Sequence, residues 1–390
     1  MPLSGATNPL CRLAACPLTL PETALEPPHQ NPLSLAAIAA LLAGLALAFQ
    51  KQLATFVLKQ MVQRVAGADI IPSLPDGLHL ALCGTGAPFP DPTRAGPCSA
   101  VIAGDRLFIV DAGEGSARNL AYMGISAARI EAIFLTHFHS DHIDGLSPFM
   151  LQRWGTALSL TPTPVYGPTG VDKVIDGFRA AYVLDFGYRI AHHSERIMPP
   201  GGSGGKGIPF ALPAVGQGDQ VVVLDDKGLK VTAFRVNHPP VEPAVGYRFD
   251  YKGRSIVISG DTTESSALVA AAKGADILLH EALQPKLVKL LELHFESQQH
   301  RQLPHVFRDI LTYHTTPEQA AGQAKAAGVK QLVFNHIVPP IPFTFANAAF
   351  IGDAQQFYQG PITVGEDGML FSLPAGSDSV SRKKIFLGRL

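Results

Sequence analysis

Ile130-Glu131-Ala132-Ile133-Phe134-Leu135-Thr136-His137-Phe138-His139-Ser140-Asp141-His142 is the stretch on which the reading of this chain turns. Its first six positions are mostly apolar and predict a strand, and an H-x-H-x-D-H pattern follows at once. Alternate residues of an extended segment point the same way, so His137 and His139 share one face. As the chain turns toward a helix, Asp141 and His142 swing toward a second point. Imidazole and carboxylate suit zinc, and to a lesser degree manganese or iron. Three histidines and an aspartate within six residues would waste core space, which speaks against a purely structural role.

This run offers up to four ligands, and two metals need more. Strand ends followed by loops commonly assemble active sites, and four other apolar runs end in ligand-type residues. Phe234-Arg235-Val236-Asn237 ends in His238, and Ile256-Val257-Ile258-Ser259-Gly260 ends in Asp261. Ile277-Leu278-Leu279 leads into His280-Glu281, and Leu332-Val333-Phe334-Asn335 into His336. An isolated strand-end histidine is weak evidence; the set is consistent with one metal centre.

Working outward, residues 79–82, 100–103 and 107–110 predict strands, and residues 221–224, 231–236, 244–249 and 255–259 predict a second strand-rich half. Helical patterns cover 116–123, 265–273 and 317–327. The last is marked by Thr316 as N-cap, Pro317 as first helical residue and Gly328 as terminator. Two strand-rich halves with helices imply two packed sheets with helices outside. The soluble domain is expected over 69–373, and the tail 374–390, with Arg382, Lys383, Lys384 and Arg389, as a surface extension. Residues 199–207 (PPGGSGGKG) read as a flexible loop, and His192 and His193 as surface loop residues. The segment 285–313, with apolar residues at helical spacing, is expected to pack beside the metal site and shape its pocket; an ordinary core-facing helix is the alternative.

Residues 1–32 are Pro-rich, without periodicity, and read as a disordered tail. Residues 33–49 form an uncharged run of seventeen, rich in Ala and Leu, at the lower limit for spanning a bilayer. Lys51, Lys59 and Arg64 follow, and residues 50–66 are expected to continue as an amphipathic helix. The region 33–66 is thus read as a single membrane anchor and its continuation. A signal peptide cleaved near Ala46-Leu47-Ala48 and a buried soluble helix are the alternatives. The side of the membrane stays open, although the basic flank favours a cytoplasmic C-terminal domain.

Of 390 residues, 31 are Lys or Arg and 32 Asp or Glu, 46% are hydrophobic, and the mean hydropathy is +0.17. That excludes a disordered chain, and it leaves no cationic excess for bulk phosphate neutralisation. The four cysteines, Cys11, Cys16, Cys83 and Cys98, are too few and scattered for a disulfide scaffold; Cys83 and Cys98 read as buried thiols. Gly84-Thr85-Gly86 opens no helix and reads as a tight turn rather than a phosphate cradle.

The sequence resembles the metallo-β-lactamase-fold superfamily, and within it the branch of ribonuclease Z and zinc arylsulfatase-like hydrolases. The matching residues are Gly84-Thr85-Gly86, Asp111-Ala112-Gly113-Glu114-Gly115, the 137–142 run, Tyr166-Gly167-Pro168, His238, Gly260-Asp261-Thr262, His280-Glu281-Ala282, His314-Thr315-Thr316 and His336. The resemblance implies an α/β four-layer αββα sandwich, here preceded by an N-terminal hydrophobic helix. It implies two Zn2+ per chain, with Mn2+ or Fe2+ as alternatives. One site would be His137, His139, His238 and Asp261; the other Asp141, His142, His336 and a bridging Asp261. Asp141 would also orient the attacking hydroxide, Glu281 and His314 would move a proton toward the leaving group, and Asp111 would brace the ligand loop.

One departure matters. Many ribonuclease Z chains carry a basic, Gly- and Pro-rich arm between the H-x-H-x-D-H helix and the Tyr-Gly-Pro stretch. Residues 143–165 leave no room for it. The sequence therefore reads as a binuclear zinc hydrolase cleaving a phosphodiester or sulfate ester by metal-bound hydroxide attack. Its expected partner is a small-molecule ester, with nucleic acid disfavoured, a membrane contact through residues 33–49, and a homodimer left open. The rivals are a ribonuclease Z-type tRNA 3′ endonuclease, a β-lactam or lactone hydrolase, and a non-catalytic metal-binding membrane module.

Overall fold

The structure is a computed structural model that describes residues 32–65, 67–215 and 217–386. The expected N-terminal tail lies, apart from Pro32, outside the described residues. The chain divides into two compact units, Met1–Gln60 and Met61–Leu390.

The first unit holds helix α1 (Pro32–Ala48) and most of helix α2 (Gln50–Val65). The uncharged Ala/Leu run forms α1, and its described side chains are exposed. The expected continuous helix is broken at Phe49, where the two axes meet at 74°. Among the described residues no single helix is long and apolar enough to cross a membrane, although the bent pair passes that test together.

The second unit contains strands β1 (Gly77–Gly84), β2 (Cys98–Ala103), β3 (Arg106–Val110), β4 (Ile130–Phe134), β5 (Thr163–Pro168), β6 (Gly205–Phe210), β7 (Gln220–Asp226), β8 (Leu229–Arg235), β9 (Val245–Tyr251), β10 (Arg254–Ile258), β11 (Ile277–Leu283), β12 (Gln331–Val338), β13 (Ile362–Val364), β14 (Met369–Pro374) and β15 (Ser381–Lys384). Its helices are α3 (Ser116–Tyr122), α4 (Ser140–Ile143), α5 (Leu146–Ala157), α6 (Val171–His193), α7 (Ser266–Ala271), α8 (Pro285–Ser297), α9 (Leu303–Asp309), α10 (Pro317–Ala327), α11 (Asn347–Ile351) and α12 (Ala354–Phe357). One sheet has the order β15-β14-β1-β2-β3-β4-β5-β6, the other β13-β12-β11-β10-β9-β8-β7.

The period-2 geometry of strands sorts the core into layers. Leu78, Leu80 and Leu82 of β1 face the other sheet and pack with Val231, Phe249 and Ile256. Ala81 and Cys83 face outward, against Leu120, Phe149 and Ile175 of α3, α5 and α6. On the far side, Val257, Leu278 and Leu332 pack against Leu268 of α7 and Ala320 and Ala324 of α10. This is the αββα sandwich.

Four local expectations are corrected. The last three residues of the expected loop 199–207 are not loop but the start of β6, which is parallel to β5; a Cβ on Gly207 would lie 2.6 Å from the Cα of Asp172, so glycine permits the close approach. His192 and His193 end α6, because residues 171–193 contain no proline to stop the helix. The fold does not stop at Leu373, since Ser381–Lys384 adds an antiparallel edge strand to β14. Cys83 and Cys98 are not free thiols but a disulfide, with Cα atoms 5.1 Å apart. The antiparallel pairing of β1 and β2 sets Gly84 opposite Cys98, a neighbourhood that the sequence separation of 15 hides.

Candidate metal centre

The ligand-type residues converge at one end of the sandwich. β4 ends at Phe134, and the chain turns through Thr136 into the one-turn helix α4, which carries Asp141 and His142. His238 follows β8, and Asp261 follows β10. Gly260 between them has φ +63, and a Cβ there would lie 2.8 Å from the Val245 carbonyl oxygen and 2.9 Å from Thr136 Cβ. Only glycine fits this turn, which delivers Asp261.

His336 arrives differently from the expected strand end. β12 continues to Val338, and its register against β11 shifts between the Glu281–Asn335 and Ala282–Ile337 pairs. His336, at φ 46, is the extra residue of this bulge, a device that re-aims a side chain. Asp111 also has positive φ, 58. Such non-glycine residues cost energy and cluster at functional sites.

Three sets of side chains bring donor atoms within 4.8 Å of one another: His137, His139, His238 and Asp261; Asp141, His142 and His336; and Asp261, His314 and His336. Asp261 Oδ2 is 3.9 Å from His137 Nε2, 3.4 Å from His142 Nε2 and 3.2 Å from His336 Nε2. It thus stands between the first two sets. Asp141 Oδ2 is 3.5 Å from His142 Nε2 and 3.3 Å from His336 Nε2.

The far nitrogens of three histidines are held. His142 Nδ1 lies 2.9 Å from Asp111 Oδ2, His238 Nδ1 3.0 Å from the Tyr313 carbonyl, and His137 Nδ1 3.0 Å from Thr136 Oγ1. Their Nε2 atoms are thereby turned toward the centre, the arrangement that orients metal-bound imidazoles. His142 Nε2 and Asp261 Oδ1 are buried without a hydrogen-bond partner among the described residues, and buried polar atoms ordinarily find one. His137 Nε2 and His139 Nδ1 meet at 3.0 Å. This donor set fits a divalent metal.

Electrostatics agree. Burial works against ionising Asp261, but His336 and His142 beside it hold its carboxyl well below the usual range. Burial, helped by the neighbouring His142, pushes His137 well down, so it is a neutral imidazole with a lone pair to give.

Glu281 and His314 lie beside the cluster. Glu281 Oε1 accepts from Thr315 N at 2.9 Å and Thr262 N at 3.3 Å, and lies 3.2 Å from His314 Nδ1. Burial disfavours protonated His314, yet the Glu281 carboxylate raises its pKa overall. His280, beside Glu281 in sequence, points the other way along β11; it is buried, with Nδ1 2.7 Å from the Glu281 carbonyl and Nε2 3.3 Å from Gln323.

The 285–313 segment forms α8 and α9. Val306, Ile310 and Tyr313 line a cleft of about 350 Å³ over His139, Asp141 and His336. Phe89 and Pro88 close its other wall. Phe89 carries no motif signal, and the Tyr313 carbonyl that holds His238 is invisible to side-chain reasoning. His294, His300 and His305 are exposed and outside the cluster.

Comparison with known proteins matches residues 106–337 to the Beta-lactamase superfamily domain. A ribonuclease Z from Mycobacterium sp. (strain KMS) is 37% identical over 265 residues, 68% of this chain and 85% of that protein. A ribonuclease Z from Mycobacterium marinum is 36% identical over 266 residues, covering 68% and 88%. Among solved structures, the short form of human tRNase Z aligns with a TM-score of 0.52 at 25% identity, covering 76% of this chain and 99% of that one. The metallo-beta-lactamase fold protein YhfI from Bacillus subtilis gives 0.51 at 17% identity and speaks for the fold alone.

These relatives correct the expectation of a small-molecule ester with nucleic acid disfavoured, because they are ribonucleases. That expectation rests on the missing arm and on a chain with no excess of Lys and Arg over Asp and Glu, neither of which excludes a local basic surface. With its αββα sandwich, its convergent His/Asp cluster and these matches, the chain belongs to the beta-lactamase superfamily and is a hydrolase of its ribonuclease Z-related branch.

Proposed function

We propose that this protein is a ribonuclease Z-type phosphodiesterase that cuts RNA, with the 3′ region of tRNA precursors as its substrate class. The observation that carries the reading is the Glu281–His314 pair, at 3.2 Å, set against the ligand cluster under the cleft. The ribonuclease Z relatives support it.

Two Zn2+ ions are proposed, one held by His137, His139, His238 and Asp261, the other by Asp141, His142, His336 and Asp261. The support is the place of Asp261 Oδ2 between both groups, since one carboxylate can serve two cations where a neutral imidazole cannot. Bound cations would supply Lewis acidity and offset charge on the phosphoryl oxygens.

The chain's own residues do the rest. Asp141 accepts a hydrogen bond from the attacking water, aims it, and takes up the proton the water sheds as its oxygen bonds to phosphorus and the bond from phosphorus to the leaving oxygen breaks. His314 donates Nδ1–H to Glu281, which turns Nε2 toward the cleft; in its protonated form it gives that Nε2 proton to the leaving oxygen. Glu281 stabilises the cation before transfer, and its bonds to Thr262 N and Thr315 N keep it in place. The apolar wall of Val306, Ile310 and Tyr313 restricts water around the reacting phosphate.

The test is cleavage of a 3′-extended tRNA precursor by the metal-loaded full chain and by His314→Ala. Wild type should cut it, and the variant should lose about 10²- to 10⁴-fold in rate with metal content unchanged. A wild-type chain that hydrolyses bis(p-nitrophenyl) phosphate but leaves RNA intact would overturn the reading.

We further propose that α1 and α2 attach the chain to a membrane. In support, α1 is uncharged and α2 carries Lys51, Lys59 and Arg64 without an acidic residue. Leu53, Phe56, Val57 and Val62 of α2 are exposed apolar side chains, the composition of a helix lying in an anionic interface. Sedimentation with phosphatidylglycerol vesicles, lost when residues 33–65 are removed, is the expected result; equal sedimentation of both forms would remove the idea.

A further inference from the structure

If RNA is the substrate, something must hold it in place of the arm this chain lacks. The acidic side chains Asp91, Glu114 and Asp144 edge the groove of about 540 Å³ beside Asp141. Arg94 is the one basic side chain in that lining, so acidic groups outnumber basic ones there.

The edge strand β15 offers the opposite charge. Arg382, Lys383 and Lys384 occupy three successive positions of it, all exposed, at the open edge of the eight-stranded sheet. Alternation places Arg382 and Lys384 on one side and Lys383 on the other. Arg382 Nη1 reaches Thr363 Oγ1 at 3.0 Å, and Lys384 Nζ lies 2.8 Å from Glu366, so two of the three are positioned by neighbours. Lysine on an edge also blocks sheet-to-sheet pairing, but that need is met without aromatic company.

Here there is aromatic company. Phe343 and Phe345 are 56% and 80% exposed. Their rings are stacked within 3° of parallel, centroids 5.0 Å apart. Phe343 and Lys384 line the same cleft of about 230 Å³, and Asn347 Oδ1 in that cleft is buried without a partner among the described residues. Two large apolar rings held face to face in water, with Lys384 and an unsatisfied acceptor in the cleft that Phe343 lines and two more cations along the same strand, match what a nucleic acid brings: phosphates, base faces and donor groups. Arg94 borders both this cleft and the groove that reaches Asp141.

We propose that β15 and the Phe343–Phe345 pair form an RNA-docking surface, with phosphates on Arg382, Lys383 and Lys384 and a base stacked on the exposed phenyl face. The proposal rests on the ribonuclease reading. It places the hold on the substrate at the β15 edge of the eight-stranded sheet.

The experiment compares the wild-type full chain with the triple variant Lys383→Gln/Lys384→Gln/Phe345→Ala, whose positions are all exposed. Anisotropy of a labelled 3′-extended tRNA precursor is read across a salt titration. Loss of two phosphate contacts and one stacking surface should weaken binding at 0.1 M salt by at least about tenfold. The slope of log Kd against log salt should fall by roughly 1 to 2. Turnover of bis(p-nitrophenyl) phosphate and the melting temperature should not change. Unchanged RNA affinity and slope in the variant, with wild type binding and cutting RNA, would overturn the docking surface alone. A wild type that turns over the small diester and binds no RNA would overturn the ribonuclease reading and this surface with it.

Discussion

His142 Nδ1 stands 2.9 Å from the Oδ2 of Asp111, whose two oxygens also accept from Thr136 N at 2.8 Å and Thr136 Oγ1 at 2.9 Å. One carboxylate thus ties the end of β4 to α4 and presents His142 Nε2 to Asp141 and Asp261. Replacing Asp111 by Asn swaps one acceptor for a donor and loses either the imidazole bond or a Thr136 bond. Asp111→Asn should therefore weaken divalent-metal binding about 10- to 100-fold. Competition against a chelator of known affinity reads this directly; unchanged affinity would mean that the ligand loop holds His142 by itself.

Glu281 touches His314 but belongs to neither of the two principal ligand sets. Glu281→Gln keeps an acceptor for Thr262 N and Thr315 N while removing the charge that stabilises protonated His314. Metal content and KM for RNA should stay near wild type while kcat falls about 10²-fold. A loss of metal instead would reassign Glu281 to holding the ligands.

The parts of this arrangement that were legible in the sequence are those written in short-range patterns. The 137–142 run, the strand-end His238 and Asp261, and the capped helix α10 follow from periodicity and local chemistry; Thr316 and Gln319 do form a capping box. His336 is legible as a ligand-type residue after an apolar run, but it is thrown out by a bulge within β12 rather than by a strand end. What could not be read were contacts made by pairing across the sheet. Cys83 meets Cys98 only because β1 and β2 are antiparallel, and β15 reads as tail because its four polar residues carry no apolar alternation. The Tyr313 carbonyl and the ring of Phe89 have no motif at all.

The Cys83–Cys98 bond closes a short loop containing Phe89 and Arg94, at a sequence separation of 15. Cross-linking a loop of that length removes entropy from the unfolded chain worth about 3 kcal/mol. The double variant Cys83→Ala/Cys98→Ala should lose stability on that scale in denaturant titration, and a reductant should have no further effect on it. Equal stability of wild type with and without reductant would show that the bond contributes nothing.

Asp367 is the buried hub of the same region. It accepts from Thr85 N at 2.9 Å, Thr85 Oγ1 at 2.7 Å, Ala95 N at 2.6 Å and Asn119 Nδ2 at 2.7 Å. Burial pushes its carboxyl up to about 6, against the opposing pull of Ala95, Thr85 and the Arg94 guanidinium. The unfolded chain titrates near 3.9, so between these values the folded state binds the proton more tightly. Its contribution to stability is then fully present below about pH 4 and is lost as pH rises through 6. A shift of about two units corresponds to roughly 3 kcal/mol. Asp367→Asn cannot titrate, and its amide must face at least one donor, so it should be less stable than wild type at low pH. Because only the wild type weakens on the way up, the gap between the two should narrow from pH 4 to pH 6.5. A gap that stays constant across that window would show that the four donors and Arg94 keep the carboxylate ionised in spite of its burial.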